Sequence, residues 1–116
     1  MLLDKLGLSA QLGIQLVIRQ TLYGLWFALV NRKLEPTPNY WLTVMFRILV
    51  GSRVLDLWTI PASGSIRIYA HCGSHKVASA FLNNNNKDSV VIYAMNLLNT
   101  NISLGLYTDG SDVFEY

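Results

Sequence analysis

The sequence predicts an α/β region followed by an all-β region within a chain of 116 residues. Residues 14–51 combine an alternating apolar stretch, a loop and an amphipathic helix, which is the order of a βα unit. After Gly51 the pattern changes to short runs rich in β-branched and aromatic residues, separated by turn-forming residues. Only 14% of the residues are charged, against about 25% in a typical domain, so we expect part of the surface to face another polypeptide.

The stretch Ile14–Leu22 alternates with the period of a β-strand. An outer face of aliphatic side chains suits a covering helix, while an inner face that becomes polar towards its C-terminal end suits a barrel opening into a binding site. The pattern therefore predicts one buried barrel strand. The outer positions are Ile14, Leu16, Ile18 and Leu22, and the inner positions are Gln15, Val17, Arg19 and Thr21.

A helix is predicted to begin after Thr37. Thr37 can serve as the N-cap, and Pro38 fits the first helical position because its missing N–H costs nothing there. Arg47 lies near the C-terminal end, where the helix dipole favours a cation, and Gly51 is expected to end the helix in a left-handed conformation. The apolar residues that recur at helical spacing are Trp41, Leu42, Met45, Phe46 and Leu49.

The C-terminal half is predicted to form strands joined by turns. Pro61–Gly64 and Asn83–Asp88 have the composition of turns or loops, and Asp109-Gly110 can form a tight turn before a final hairpin strand at Val113–Tyr116. The other predicted strands are Val54–Ile60, Ser65–His71, Val90–Leu98 and Ile102–Tyr107.

Several segments in order resemble the heparanases, a family of endo-β-glucuronidases that cut heparan sulfate. They are LDKLGLSAQLGIQLVIRQ, LEPTPNYWL, ILVGSRVL, RIYAHC at Arg67–Cys72 and VVIYAMNLLN at Val90–Asn99. The resemblance covers residues 2 to about 100. It implies a (β/α)8 TIM barrel followed by a β-sandwich, with residues 1–52 as the C-terminal portion of the barrel domain and residues 53–116 as part of the sandwich.

The resemblance also implies a retaining glycosidase, which needs one carboxylate as acid/base and one as nucleophile. In heparanases both lie on earlier barrel strands, and the nucleophile's Gly-Glu-Thr-Ser motif is absent from this sequence. The chain is therefore expected to be a C-terminal fragment without catalysis of its own, with no cofactor. Its carboxylates are expected to be solvated surface charges: Asp4, Glu35, Asp56, Asp88, Asp109, Asp112 and Glu115.

Gln20 is the candidate substrate-binding residue. By resemblance it matches a glutamine at the mouth of the eighth barrel strand that hydrogen-bonds the sugar, although it could equally satisfy loop backbone. The loop after Gly24 departs from the family, since Trp26 and Phe27 stand where heparanases have a Gly-Ala-Gly-Asn-Tyr-His sequence. Trp26 could stack on a sugar ring, pack as hydrophobic surface or belong to an altered loop that no longer functions in substrate recognition. Arg19 is expected to lie inside the barrel as a paired cation with a structural role, and a position near the sulfated substrate is the alternative.

Cys72 is the only cysteine, so it cannot form a disulfide within this sequence. The resemblance implies a structural disulfide with a cysteine beyond Tyr116, and an ordinary buried thiol is the alternative. His71 and His75 lie nearby, but the His-Cys-x-x-His spacing is a poor zinc site, and no metal is expected. Asn101-Ile102-Ser103 is an N-glycosylation sequon.

The net charge of +2 is too small to indicate nucleic-acid binding. Heparan sulfate or a related glycosaminoglycan is the partner that the resemblance implies. An alternative function is a non-enzymatic module that binds sulfated glycan or docks another polypeptide through an exposed apolar face.

Family members are secreted, matrix-associated and lysosomal, but no signal peptide is predicted because Asp4 and Lys5 interrupt the N-terminal leucines. No transmembrane span is expected. The residues that could hold a sulfated glycan are Arg32, Lys33, Arg53, Arg67 and Lys76.

Overall fold

The computed structural model describes residues 2–57, 64–74, 89–107 and 113–115. These residues form a small α/β structure. The elements, in chain order, are α1 (Leu2–Gln11), α2 (Pro38–Leu49), β1 (Val50–Leu55), β2 (Ile66–Gly73), β3 (Val90–Asn96), β4 (Gly105–Tyr107) and β5 (Val113–Glu115).

Strands β1, β2 and β3 form an antiparallel sheet in the order β1-β2-β3. The β2–β3 ladder is continuous from Ile66 opposite Asn96 to Cys72 opposite Val90. Between β1 and β2 the register shifts, because Val50 pairs with Gly73 whereas Val54 pairs with His71. Four steps along β1 therefore correspond to two along β2, so β1 carries two extra residues and a local bend between these pairs.

The second sheet contains only β4 and β5, which pair antiparallel from Gly105 opposite Glu115 to Tyr107 opposite Val113. The predicted hairpin pairing is thereby confirmed, although its turn at Asp109-Gly110 lies outside the described residues. The predicted strands at Ser65–His71 and Val90–Leu98 agree with β2 and β3 to within two residues. The loops predicted at Pro61–Gly64 and Asn83–Asp88 lie largely outside the described residues.

The start of α2 agrees with the prediction, but its end does not. Thr37 is the N-cap and Pro38 the first helical residue. The helix ends at Leu49, and its C-cap Val50 already has an extended backbone. The chain therefore passes directly into β1, and Gly51 is a strand residue rather than a left-handed helix stop. Ser74 contributes to this end of the helix, because its N–H donates to the Leu49 carbonyl (2.8 Å) and its hydroxyl to the Ile48 carbonyl.

The prediction of a strand at Ile14–Leu22 is wrong for this structure. The segment has no regular secondary structure, and Leu16 and Ile18 are 72% and 82% exposed. A strand exists only when its backbone pairs with another strand, and none of the described strands lies beside these residues. The alternating pattern is therefore present in the sequence without the partner that would turn it into a strand.

The helices cover one face of the three-stranded sheet. On that face α1 contacts Tyr69 at Gly7, and α2 contributes Phe46, whose ring meets those of His71 and Tyr93 edge-on. The opposite face is partly open, since Val90 and Ile92 are 59% and 38% exposed. A partly open apolar face is compatible with a second sheet packing on it, as in a β-sandwich. The barrel and the sandwich, with their boundary at residues 52 and 53, remain predictions. None of the described helices has the length and apolar composition that crossing a lipid bilayer demands.

Candidate functional site

The loop between residues 21 and 37 is ordered by its own backbone. Val30 is central to it, because its N–H donates to the Leu22 carbonyl and its carbonyl accepts from the Gly24 N–H, each at 3.0 Å. Val30 also forms isolated bridges to Tyr23 and to Pro36. The loop is therefore a compact structure rather than a simple connection between the expected strand and α2.

Two arginines tie the tip of this loop in place. Arg19 donates from Nε (3.1 Å) and Nη2 (2.9 Å) to the Phe27 carbonyl, and Arg32 donates from Nε to the Gly24 carbonyl (3.1 Å). Hydrogen bonds from a charged donor are stronger than neutral ones, so these contacts fix the loop between residues 24 and 28. Arg19 therefore has a structural contact, but its partner is a backbone carbonyl and not the anion that a paired cation would have.

Trp26 stands at the tip of the loop and is 97% exposed. It lies beside an open cleft of about 340 Å³ that also has Gly24, Asn31 and Arg32 on its walls. An indole with its whole surface in solvent does not pack against the described residues. Of the three interpretations of Trp26, packing as a part of the hydrophobic surface finds no contact among the described residues. Stacking on a ligand and an altered loop without a function both stay open.

Gln20 lies just before this loop and is exposed. Its side chain has no hydrogen-bond partner among the described residues, so a role in satisfying the loop backbone has no support in the structure. A carboxamide exposed in this way can donate to and accept from a hydroxyl-rich ligand. The assignment of Gln20 to substrate binding itself remains a prediction.

The carboxylates of the described residues are held in different places. Glu35 accepts from the Asn31 side-chain amide at 2.8 Å, and Asp56 is exposed just after β1. Asp4 departs from the expected solvated charge. Its Oδ1 accepts a hydrogen bond of 2.6 Å from the Tyr69 hydroxyl and lies 3.8 Å from the Arg67 Nε. The interactions of Asp4 and Glu35 are thus structural ones.

Sequence reasoning missed an aromatic cluster formed by Phe46, Tyr69, His71 and Tyr93. Tyr69 and Tyr93 are directly opposite in the β2–β3 ladder, with ring centroids 5.4 Å apart. His71 is 3% exposed, and its ring stacks on Tyr93. The signal that could have revealed part of the cluster is the spacing of Tyr69 and His71 in RIYAHC, since residues two apart share a sheet face.

His71 links three elements through this cluster. Its Nδ1 lies 3.1 Å from the Gly51 carbonyl oxygen, and its Nε2 lies 3.2 Å from the Tyr93 hydroxyl. Because a carbonyl can only accept, Nδ1 donates, and in the neutral ring Nε2 accepts from Tyr93. No metal-binding group of three or more His, Cys, Asp or Glu occurs among the described residues, and His75 lies outside them. The geometry makes His71 a structural connector.

The phenols of the cluster resist ionisation. The pKa of Tyr69 is raised to about 12, mainly by burial. The hydrogen bond to Asp4 and the charge of Asp4 raise this pKa further, whereas the positive charge of Arg67 lowers it. Burial, with the nearby Tyr69, likewise raises the pKa of Tyr93 to about 12. Both values lie above the ordinary tyrosine pKa of about 10.

We expect the protein to lose stability between about pH 10 and pH 12 because of these two phenols. The folded state keeps their protons while the unfolded state releases them, so their contribution is complete below the unfolded pKa and is lost as the pH rises through the folded pKa. Tyr69→Phe should also cost about 1.5 kcal/mol at neutral pH by removing the hydrogen bond to Asp4. Urea unfolding at a series of pH values measures both effects.

Tyr23→Phe is the matched control, because this ring is 53% exposed and lies outside the cluster. The control should retain the alkaline loss of stability, and the Tyr69→Phe/Tyr93→Phe double variant should show much less of it. If the wild type and the double variant lost the same stability at alkaline pH, the assignment of this loss to Tyr69 and Tyr93 would be contradicted.

The remaining candidate residues lie apart from the cluster. Cys72 is a free, partly exposed cysteine on the face of β2 opposite to His71, and Asn101 is exposed after β3. Arg32, Lys33 and Arg53 are exposed, whereas Arg67 is engaged with Asp4 and Lys76 lies outside the described residues. The disulfide, the glycosylation site and the glycan contacts remain predictions.

Comparison with known proteins gives one consistent group of relatives, although no family profile matches the chain. The chain is 40% identical to the heparanase of Bos taurus over 108 residues, covering 91% of this chain and 19% of that protein. It is 34% identical to the hyaluronoglucuronidase of Hirudo nipponia, covering 98% of this chain and 24% of that protein. It is 32% identical to inactive heparanase-2 of Homo sapiens, covering 82% of this chain and 17% of that protein. The chain thus spans about a fifth of the length of these relatives.

Proposed function

The chain is a heparanase-like segment, and from this premise we propose that it supplies part of the glycan-binding surface of a glycoside hydrolase. The names of its relatives point to glucuronide-containing polysaccharides as the substrate class, with heparan sulfate as the first candidate. In this proposal the whole enzyme cuts internal β-glucuronidic bonds with retention, using two carboxylates, and residues 1–52 and 53–116 belong to its barrel and its sandwich.

The observation that carries the proposal is the ordered loop with an exposed indole. Arg19 and Arg32 hold the loop by its carbonyl groups, and Trp26 beside the cleft remains free to meet a ligand. Aromatic faces and carboxamides together suit a sugar, whose ring has apolar C–H faces and a hydroxyl rim. We assign Trp26 to stacking and Gln20 to hydrogen bonding with the sugar.

The chain by itself is proposed to be inactive. The described carboxylates Asp4 and Glu35 are occupied by structural contacts on different elements, and this arrangement favours no acid/base pair. One of the relatives is itself named as inactive. Cys72 and Asn101 are proposed as a disulfide half and a glycan acceptor of the whole protein.

A second candidate function is non-enzymatic binding of sulfated glycan by charge. The exposed side chains of Arg32 and Lys33 favour it, since they are adjacent in the loop that also presents Trp26. Binding of this kind depends on ion pairing and weakens steeply with salt, whereas stacking on an indole depends on it much less. The two candidates therefore differ in their salt dependence.

The test measures the binding of heparan sulfate oligosaccharides to the purified chain by calorimetry, at low and at moderate salt. Trp26→Ala and Gln20→Ala should each weaken binding several-fold, and the matched control Trp41→Ala, which removes a half-exposed indole from α2 (55% exposed), should not. The oligosaccharide should keep its length throughout.

Loss of binding only in Arg32→Ala/Lys33→Ala, together with strong salt dependence, would replace the first candidate with the second. An absence of binding at low salt would refute both. Shortening of the oligosaccharide that disappears in a carboxylate variant of this chain would refute the proposal that the chain is inactive alone.

A further inference from the structure

We propose that Asn31 is a positioning residue for the glycan-binding loop and that it acts through its neighbour Arg32. The inference rests on the proposed function, because the group that it positions is the Trp26 indole. It deepens that function by assigning the position of the indole to a side chain that need not itself touch the sugar. The contacts that carry it all lie within residues 23–35.

Asn31 closes the turn formed by residues 31–35. Its Oδ1 accepts from the backbone N–H groups of Lys33 (2.8 Å) and Glu35 (3.0 Å), and its Nδ2 donates to Glu35 Oε2 at 2.8 Å. Its backbone N–H donates to the Glu35 carbonyl at 2.9 Å, and its carbonyl accepts from the Leu34 N–H at 3.0 Å. A carboxamide is suited to this position because it accepts and donates at the same time.

The backbone of Leu34 shows how firmly this turn is held. Its φ of 65° lies in the left-handed region, which a residue with a β-carbon adopts only at a cost in free energy. Such a conformation persists where the surrounding contacts determine it. The hydrogen bonds from Lys33 and Glu35 to the Asn31 side chain supply these contacts on both sides of Leu34.

Arg32 connects the turn to the tip of the loop. It stands inside the turn that the Asn31 side chain closes, so its backbone is fixed there. Its carbonyl accepts from the Tyr23 hydroxyl at 3.1 Å, and its Nε donates to the Gly24 carbonyl at 3.1 Å. Gly24 precedes Trp26 by two positions, and both line the cleft together with Asn31 and Arg32. The contacts therefore run from Asn31 through Arg32 to the backbone that carries the indole.

Asn31→Ala should weaken the binding of heparan sulfate oligosaccharides about fivefold, measured by calorimetry at moderate salt. The matched control is Asn96→Ala, because Asn96 closes a comparable turn after β3. Its Oδ1 accepts from the Leu98 N–H at 2.9 Å, and its Nδ2 donates to the Thr100 carbonyl at 2.7 Å. Both variants should lower the midpoint of urea unfolding, but Asn96→Ala should leave binding unchanged. The comparison separates a loss of position from a general loss of stability.

An exchange of the two side-chain groups tests the hydrogen bond between Asn31 and Glu35 at constant charge. Asn31→Asp sets two carboxylates against each other and should weaken binding. In Asn31→Asp/Glu35→Gln the new carboxamide can donate to the new carboxylate, and the net charge equals that of the wild type. This double variant should recover most of the lost affinity. Binding as weak as that of Asn31→Asp would overturn the proposal.

A double-mutant cycle with Trp26→Ala shows whether Asn31 acts through the indole. In the Trp26→Ala background Asn31→Ala should have no further effect on binding, since the group that it positions is gone. Equal effects of Asn31→Ala in both backgrounds would overturn the proposal, because Asn31 would then act on the sugar without Trp26. So would an affinity that falls in Trp26→Ala and not in Asn31→Ala. An affinity that Trp26→Ala leaves unchanged would refute the proposed function itself, and the role of Asn31 would fall with it.

Discussion

Replacing Gly51 with valine is expected to lower the free energy of unfolding by about 3 kcal/mol. A β-carbon at this position would lie 2.6 Å from the Cys72 carbonyl oxygen and 2.9 Å from the Gly73 carbonyl oxygen. Both distances are far below van der Waals contact. Because the obstructing atoms belong to the backbone, no rotation of a side chain can relieve the overlap.

The effect should extend beyond β1, since Gly51 is joined to the aromatic cluster. Its carbonyl accepts from His71, which in turn contacts Tyr93. Movement of β1 away from β2 would lengthen the first of these hydrogen bonds and leave a buried imidazole partly unsatisfied, at a cost of its own. We therefore expect faster amide hydrogen exchange along β2 as well as a lower midpoint of urea unfolding.

Gly64→Val is the matched control, because a β-carbon there meets no atom within 4 Å. It should change the unfolding midpoint little. Equal stabilities for Gly51→Val and Gly64→Val would show that β1 does not approach β2 as closely as the structure has it.

The local signals in the sequence were sufficient for α2 but not for its junction with the sheet. Thr37 and Pro38 act within one turn of the helix, and the apolar spacing after them is a local pattern. The prediction for Gly51 failed because glycine serves two purposes, a left-handed helix end and a close approach of two backbones. The second purpose depends on Cys72 and Gly73, which no local pattern connects to Gly51.

In the candidate site, too, contacts between residues that are distant in the sequence could not be predicted from local patterns. Proximity of Asp4 to Tyr69, which are 65 positions apart in the sequence, follows from the packing of α1 on the sheet and was not predictable from either residue. The prediction that Ile14–Leu22 forms a strand failed for a related reason. Alternation specifies which face a strand would bury, but the strand itself depends on hydrogen bonds to a neighbour.

Replacing Gly7 with alanine should destabilise the protein by about 1–2 kcal/mol, the opposite of the usual effect within a helix. Alanine in place of glycine normally favours a helix by about 1 kcal/mol. In α1, however, the new β-carbon would lie 2.5 Å from Cδ1 and from Cδ2 of the Tyr69 ring. The ring is 5% exposed and held by its hydroxyl to Asp4, so it cannot move aside freely.

A double-mutant cycle with Tyr69→Val isolates this contact. In the Tyr69→Val background the ring is gone, and Gly7→Ala should then raise the free energy of unfolding, because only the helix propensity remains. The change of sign between the two backgrounds is the decisive measurement, read from urea unfolding of the four proteins. If Gly7→Ala were stabilising in both backgrounds, α1 would not rest on Tyr69, and the salt bridge and hydrogen bond of Asp4 would lose the packing that positions them.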